Sequence, residues 1–175
     1  MKITPIDSNY NLFLIEDFYT QDLIDSVGCY NCDLYAYEPI LVEGQYTRRN
    51  ILQGQQYVTQ LYTQSIQNTV QIGKFLNKDL KLQTYNVWYD LPGYFMGKHL
   101  DAVNHVKIGM QIYLTEADQS LGTYFYNNDE VRYYFPYIPN TGYMMINSPQ
   151  QYHAAPTAVP NNMYRLSMYH RISIA

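Results

Sequence analysis

Along this 175-residue chain the spacing of apolar positions changes character near residue 80. Before that point the period is mostly helical. Asn11 to Ile15 (NLFLI) reads as one short strand. Glu16-Asp17 then opens Phe18 to Val27, whose apolar positions recur at helical spacing, with Gly28 as a stop. Residues 33–54, which hold Pro39, Gly44 and Gly54, predict irregular structure. From about Gln56 to Leu76, the positions Val58, Leu61, Tyr62, Ile66, Val70, Ile72 and Phe75 predict a long helix with a glutamine-rich polar face.

From Leu82 onward, short runs of β-branched and aromatic residues alternate with turn residues. Strands are predicted near 83–90, 94–100, 106–114, 122–127, 131–136, 142–147, 150–154 and 163–173. Pro92-Gly93, Asn127-Asn128-Asp129, Pro139-Asn140-Thr141-Gly142 and Pro160-Asn161-Asn162 separate them. Many short strands after two helices predict a mainly β chain, an antiparallel barrel or double-sheet jelly roll with helices packed on one sheet. No repeat and no linker interrupts it. A single domain over 1–175 is expected, with helical support over about 1–80 and a jelly-roll core over about 81–175.

Composition narrows the picture. With 47% apolar and 15% charged residues, the chain can bury a core and does not read as disordered. No stretch approaches the roughly 20 apolar residues that cross a bilayer. The N-terminus lacks the apolar core of a signal peptide, so a cytoplasmic protein is expected. The net charge of −4, and basic residues that are scattered apart from Arg48-Arg49, weigh against a nucleic-acid partner. Twenty-one tyrosines suit half-buried strands and pocket walls. Cys29 and Cys32 form a C-x-x-C pair without a second pair of zinc ligands or a thioredoxin-like setting, and they read as ordinary reduced thiols.

Candidate chemistry is concentrated at His99 and Asp101. Residues two apart on a strand face the same side, roughly 7 Å apart along the backbone, so this imidazole and carboxylate can converge on one metal ion. A second histidine must come from another strand, and His153 stands in a predicted strand near the C-terminus. Two histidines and a carboxylate on one face of a metal leave positions open for a co-substrate and O2, the Fe(II) arrangement of non-haem oxygenases. A 2-oxoglutarate molecule filling two of those positions needs a buried cation for its far carboxylate. Arg165, on the last predicted strand, offers a guanidinium that can pair with it through two parallel hydrogen bonds, and Ser167 shares its face. His105 has the parity of His99 and is a rival ligand. His170 has the opposite parity to Arg165, which favours packing.

With these residues the sequence resembles the 2-oxoglutarate/Fe(II) dioxygenase superfamily, most closely its prolyl-4-hydroxylase-like branch. The resemblance covers roughly residues 80–174 and rests on H-x-D at His99 and Asp101, the distal His153, and Arg165. It implies a double-stranded β-helix with iron at its mouth, and a hydroxylase, since the family's halogenases lack the carboxylate ligand. It further implies that Tyr89 lies near the co-substrate and that Tyr113 hydrogen-bonds the far carboxylate. Arg165 and Arg171 also resemble the paired arginines of the family's nucleic-acid demethylases. A demethylase and a non-catalytic jelly-roll binding protein are the alternatives. The substrate expected is a protein side chain such as peptidyl proline, or a small molecule, met near Trp88, Tyr94, Phe95 and the 33–54 segment.

Overall fold

The computed structural model describes residues 1–7, 11–28, 37–52, 56–101, 107–149 and 151–175. In chain order the first elements are β1 (Lys2–Asp7), β2 (Leu12–Glu16), α1 (Gln21–Gly28), β3 (Tyr37–Val42), β4 (Gln45–Ile51) and α2 (Gln56–Leu76). There follow β5 (Leu80–Asp90), β6 (Met96–His99), β7 (Ile108–Tyr113), β8 (Thr123–Asn127), β9 (Glu130–Phe135), β10 (Thr141–Ile146), β11 (His153–Ala155) and β12 (Arg165–Ile174). Each segment predicted as a strand after residue 80 overlaps one of these strands, and both helices stand where the apolar spacing puts them.

The strands pair antiparallel in two sheets. The larger has the order β1-β2-β10-β7-β12-β5-β4-β3, the smaller β6-β11-β8-β9. The expectation of irregular structure over 33–54 is corrected by the hairpin β3–β4, which extends the large sheet at one edge as β1 and β2 extend it at the other. The first 80 residues therefore supply four strands as well as helices. The hairpin escapes a hydrophobicity reading because its residues are mostly polar or exposed. Pro39 is tolerated on an edge strand, where a missing N–H breaks no inner ladder. Its turn is Glu43-Gly44, with φ of 48° and 77°, the pair of positive values that a two-residue hairpin turn requires. The Cys29–Cys32 pair and His105 lie outside the described residues.

Alternation along the strands sorts side chains into two environments. Ile108, Met110 and Ile112 of β7, with Leu166, Met168 and Ile172 of β12 and Val87 of β5, share a core with Leu23, Ile24 and Val27 of α1 and with Tyr57, Val58, Leu61 and Ile72 of α2. Residues of opposite parity on the same strands face a cavity between the sheets. No helix among the described residues is long and apolar enough to cross a membrane.

His170 sits in the helix-side core, as its parity predicts. It is fully buried, its Nδ1–H donates to the Met110 carbonyl (3.3 Å), and its Nε2 faces the hydroxyls of Ser65 (2.9 Å) and Tyr19 (3.2 Å). Burial pushes its pKa down to about 4, against a weaker upward pull from the Met110 carbonyl. The unfolded chain, with an imidazole near 6.5, thus binds more protons between pH 4 and 6.5. Stability from this group is complete above pH 6.5 and falls as pH drops toward 4, by about 3 kcal/mol in all. Urea midpoints measured from pH 7.5 to 4.5 should show this slope, and His170→Leu should flatten it; an unchanged slope would mean other groups carry the acid sensitivity.

Candidate metal and anion site

The backbone itself brings His99 and His153 together. β6 and β11 are neighbours in the small sheet, and the two histidines are cross-strand partners in the register, with ring centroids 4.3 Å apart. Asp101 follows β6 by two residues, and its Oδ1 lies 3.8 Å from Nε2 of each histidine. The three ligand atoms all lie within 4.8 Å of one another.

Both imidazoles are held in the metal-binding tautomer. The Nδ1–H of His99 donates to the Gly97 carbonyl (2.8 Å), and that of His153 donates to the Gln151 carbonyl (3.1 Å). In each ring the Nε2 lone pair is then left facing Asp101. Burial holds His153 below the usual imidazole range, with His99 adding to the effect and Asp101 opposing it, so the ring tends toward its neutral, ligating form. Two imidazole nitrogens and one carboxylate oxygen on one side of a cavity are a donor set that suits Fe(II) and leaves its other side accessible.

Asp101 is oriented from the opposite sheet. Its Oδ2 accepts a hydrogen bond from Tyr169 of β12, whose ring stacks on Trp88 at 4.9 Å and 10°. Gly109 makes room for this contact: a Cβ there would lie 2.8 Å from the Tyr169 hydroxyl and 3.4 Å from Asp101 Oδ2. Tyr169 shares the parity of Arg165 and Ser167, which is the signal that would have found it. Partners of this kind typically contribute about 10- to 100-fold to metal affinity. Tyr169→Phe is accordingly expected to weaken Mn(II) binding by about 10- to 100-fold with little change in melting temperature. Calorimetric titration checks this, and unaltered affinity would show that Asp101 is oriented by other groups.

Behind the triad lies a buried charge cluster that spans three adjacent strands. Arg48 of β4, Asp90 of β5 and Arg165 of β12 stand in one cross-strand row. Arg48 Nε and Nη2 donate to Asp90 Oδ1 (2.6 Å) and Oδ2 (3.0 Å), and Arg165 Nη2 lies 3.2 Å from Asp90 Oδ2. All three are buried. Burial alone lowers the pKa of each arginine, but Asp90 and the surrounding groups outweigh it, so both stay charged. The phenols around them stay protonated: burial pushes Tyr94 and Tyr137 up to about 12, and Tyr113 higher. Two guanidinium groups against one carboxylate leave the cluster with one excess positive charge. A further sign of an incomplete site is Arg165 Nε, which is buried without a hydrogen-bond partner among the described residues.

The triad and both arginines line a single cavity of about 560 Å³. Trp88, Tyr94, Gln111 and Thr123 complete its inner wall, and Ile40, Leu41, Val42 and Glu43 of the hairpin form an outer wall. Arg171 is exposed and also lines it, whereas Phe95 is outside it.

The remaining expected residues fall differently. Tyr113 is fully buried next to the cavity and donates to Thr123 (2.8 Å), a lining residue. Ser167 does not line the cavity; Gln111 covers it and donates to its hydroxyl (2.9 Å). Tyr89, which the resemblance puts near a co-substrate, does not line this cavity. Tyr89 packs against the helix-side core and Tyr164, while its neighbours Trp88 and Asp90 face the other way, because alternate residues of a strand take opposite faces. Tyr94, between β5 and β6, instead lies against both arginines.

No sequence-family model matches the chain, and no curated protein matches it by sequence. Its fold has clear counterparts among solved structures. A prolyl-4-hydroxylase from Pseudomonas putida is similar over 96% of this chain and 95% of its own, with a TM-score of 0.68 and 17% identity. A prolyl hydroxylase from Trichoplax adhaerens, solved with a hypoxia-inducible-factor peptide, is similar over 93% of this chain and 83% of its own, with a TM-score of 0.70 and 12% identity. The non-haem, α-ketoglutarate-dependent epimerase SnoN of nogalamycin biosynthesis is similar over 95% and 78%, with a TM-score of 0.69 and 10% identity. The chain shares its fold with these proteins.

Proposed function

We propose that this protein is an Fe(II)- and 2-oxoglutarate-dependent dioxygenase of the prolyl-4-hydroxylase-like kind, built on a double-stranded β-helix with its helices on one sheet. The observation that carries this reading is the placement of a His–Asp–His donor set in the same cavity as a buried cluster with one unmatched positive charge. A metal-chelating acid with a second carboxylate is the ligand that satisfies both.

In this reading His99, Asp101 and His153 hold the iron, and Tyr169 keeps one Asp101 oxygen turned away from it. Bound iron supplies the O2 activation that couples oxidative decarboxylation of 2-oxoglutarate to hydroxylation of a substrate C–H bond. Arg165 receives the far carboxylate, and Tyr113, through Thr123, shapes the end of that pocket. The hairpin wall and Arg171 meet the substrate at the opening. The substrate is a protein side chain, peptidyl proline among the candidates, or a small molecule, since one similar fold was solved with a peptide and another belongs to nogalamycin biosynthesis.

Succinate release measures this directly. Protein prepared without oxygen and supplied with Fe(II), 2-oxoglutarate and then O2 is expected to release succinate slowly without substrate and faster with one. Release that is indifferent to iron removal, or absent with metal bound, would remove the dioxygenase reading and leave a binding protein.

A further inference from the structure

Arg48 comes from an edge hairpin, not from the strands that hold the metal ligands, and nothing in the chain's resemblance accounts for it. Its guanidinium is gripped on three sides. Asp90 takes its Nε and one Nη2 hydrogen, the Trp88 ring lies 3.9 Å from its Cζ, and the Tyr94 ring lies 4.3 Å away. A guanidinium has five donors, so this grip leaves others for the cavity that Arg48 lines. The hairpin that carries it has few other deep anchors. Among the described residues β3 pairs only with β4, and of its own residues only Val42 is buried. At the tip, Glu43 accepts the Gly97 N–H (3.0 Å), two residues before His99.

We propose that Arg48 shares with Arg165 the far carboxylate of 2-oxoglutarate, and that this contact seats the β3–β4 hairpin, the wall against which substrate packs. The proposal rests on the dioxygenase reading and adds to it a second anchor and a coupling. One excess charge spread over two arginines attracts one carboxylate, and a carboxylate bridging them ties β4 to β12 through the ligand. Coupling is reciprocal: whatever the co-substrate adds to the hairpin's seat, a seated hairpin returns as co-substrate affinity. Occupancy at the arginines thus prepares the outer wall before substrate arrives.

Calorimetry and hydrogen exchange on the full chain loaded with Mn(II) test this. In the wild type, 2-oxoglutarate should slow exchange over residues 37–51. Arg48→Met should keep Mn(II) affinity within about twofold, weaken 2-oxoglutarate by about tenfold or more, and abolish the slowing even when the ligand saturates. It should leave binding of 2-oxobutyrate, which lacks the far carboxylate, unchanged; a merely structural role would weaken both acids alike and would overturn the proposal. Arg48→Lys keeps the charge without the fork and should weaken 2-oxoglutarate several-fold; it decides the matter if Arg48→Met does not fold. Wild-type affinity in either variant overturns the proposal while leaving the dioxygenase reading intact. A wild-type protein that takes up Mn(II) but no 2-oxoglutarate overturns both.

Discussion

His153→Ala is expected to remove metal binding and, with it, iron-dependent succinate release. The imidazole is one of three groups whose ligand atoms lie within 4.8 Å, and no fourth His, Cys, Asp or Glu joins the cluster among the described residues. Its loss leaves His99 and Asp101, a pair too small to hold a divalent ion against water and buffer. The reduction in Mn(II) or Fe(II) affinity should exceed the roughly 100-fold that loss of an outer-shell partner brings. The fold should survive, because β11 keeps its backbone pairing with β6 and β8 and the ring can be dispensed with from a wall of the cavity. Iron content after anaerobic reconstitution, read beside a circular-dichroism melt, separates loss of the site from loss of the fold. A variant that retains one iron per chain would place the metal elsewhere.

Asp90→Asn acts on stability first. Asp90 is fully buried and is the carboxylate that neutralises half of the charge of Arg48 and Arg165. Asparagine fills the same volume but leaves two guanidinium groups close together without a counter-charge. Removing one partner from a buried ion pair costs about 3–5 kcal/mol, because the partner stays desolvated. For a chain of this size such a loss corresponds to a fall of roughly 6–20 °C in melting temperature. Added 2-oxoglutarate or sulfate should restore more stability to this variant than to the wild type, since an anion then supplies the missing charge. A melt indistinguishable from the wild type would mean that the arginines do not depend on Asp90.

Much of this architecture is legible from spacing. Apolar positions at helical period foretell α1 and α2, and alternation after residue 80 foretells β5 to β12, because amphipathic period is a local property of the chain. The hairpin β3–β4 is not legible. QYTRRNI reads as polar, yet Arg48 within it is 3% exposed, its charge matched by Asp90 on the next strand. The site divides in the same way. H-x-D and a later histidine can be picked out by residue type, whereas Tyr169 and Asp90 have no such mark. Tyr89 and Tyr94 show the limit of matching by position: five residues apart, one packs under the helices and the other lies against both arginines.

By itself the sequence determined where the two helices and the strands after residue 80 run, which residues within a strand share a face, and that a histidine, a carboxylate and a distant histidine could share one metal ion. The tertiary structure alone decided which face looks into the cavity and which strands become neighbours. Strand order and register set those, and they joined Arg48, Asp90 and Arg165 in one row although Arg48 and Asp90 stand 42 residues apart in the chain. Pairing of that range is chosen by the packing of the whole sheet, and no local pattern of polar and apolar residues encodes it.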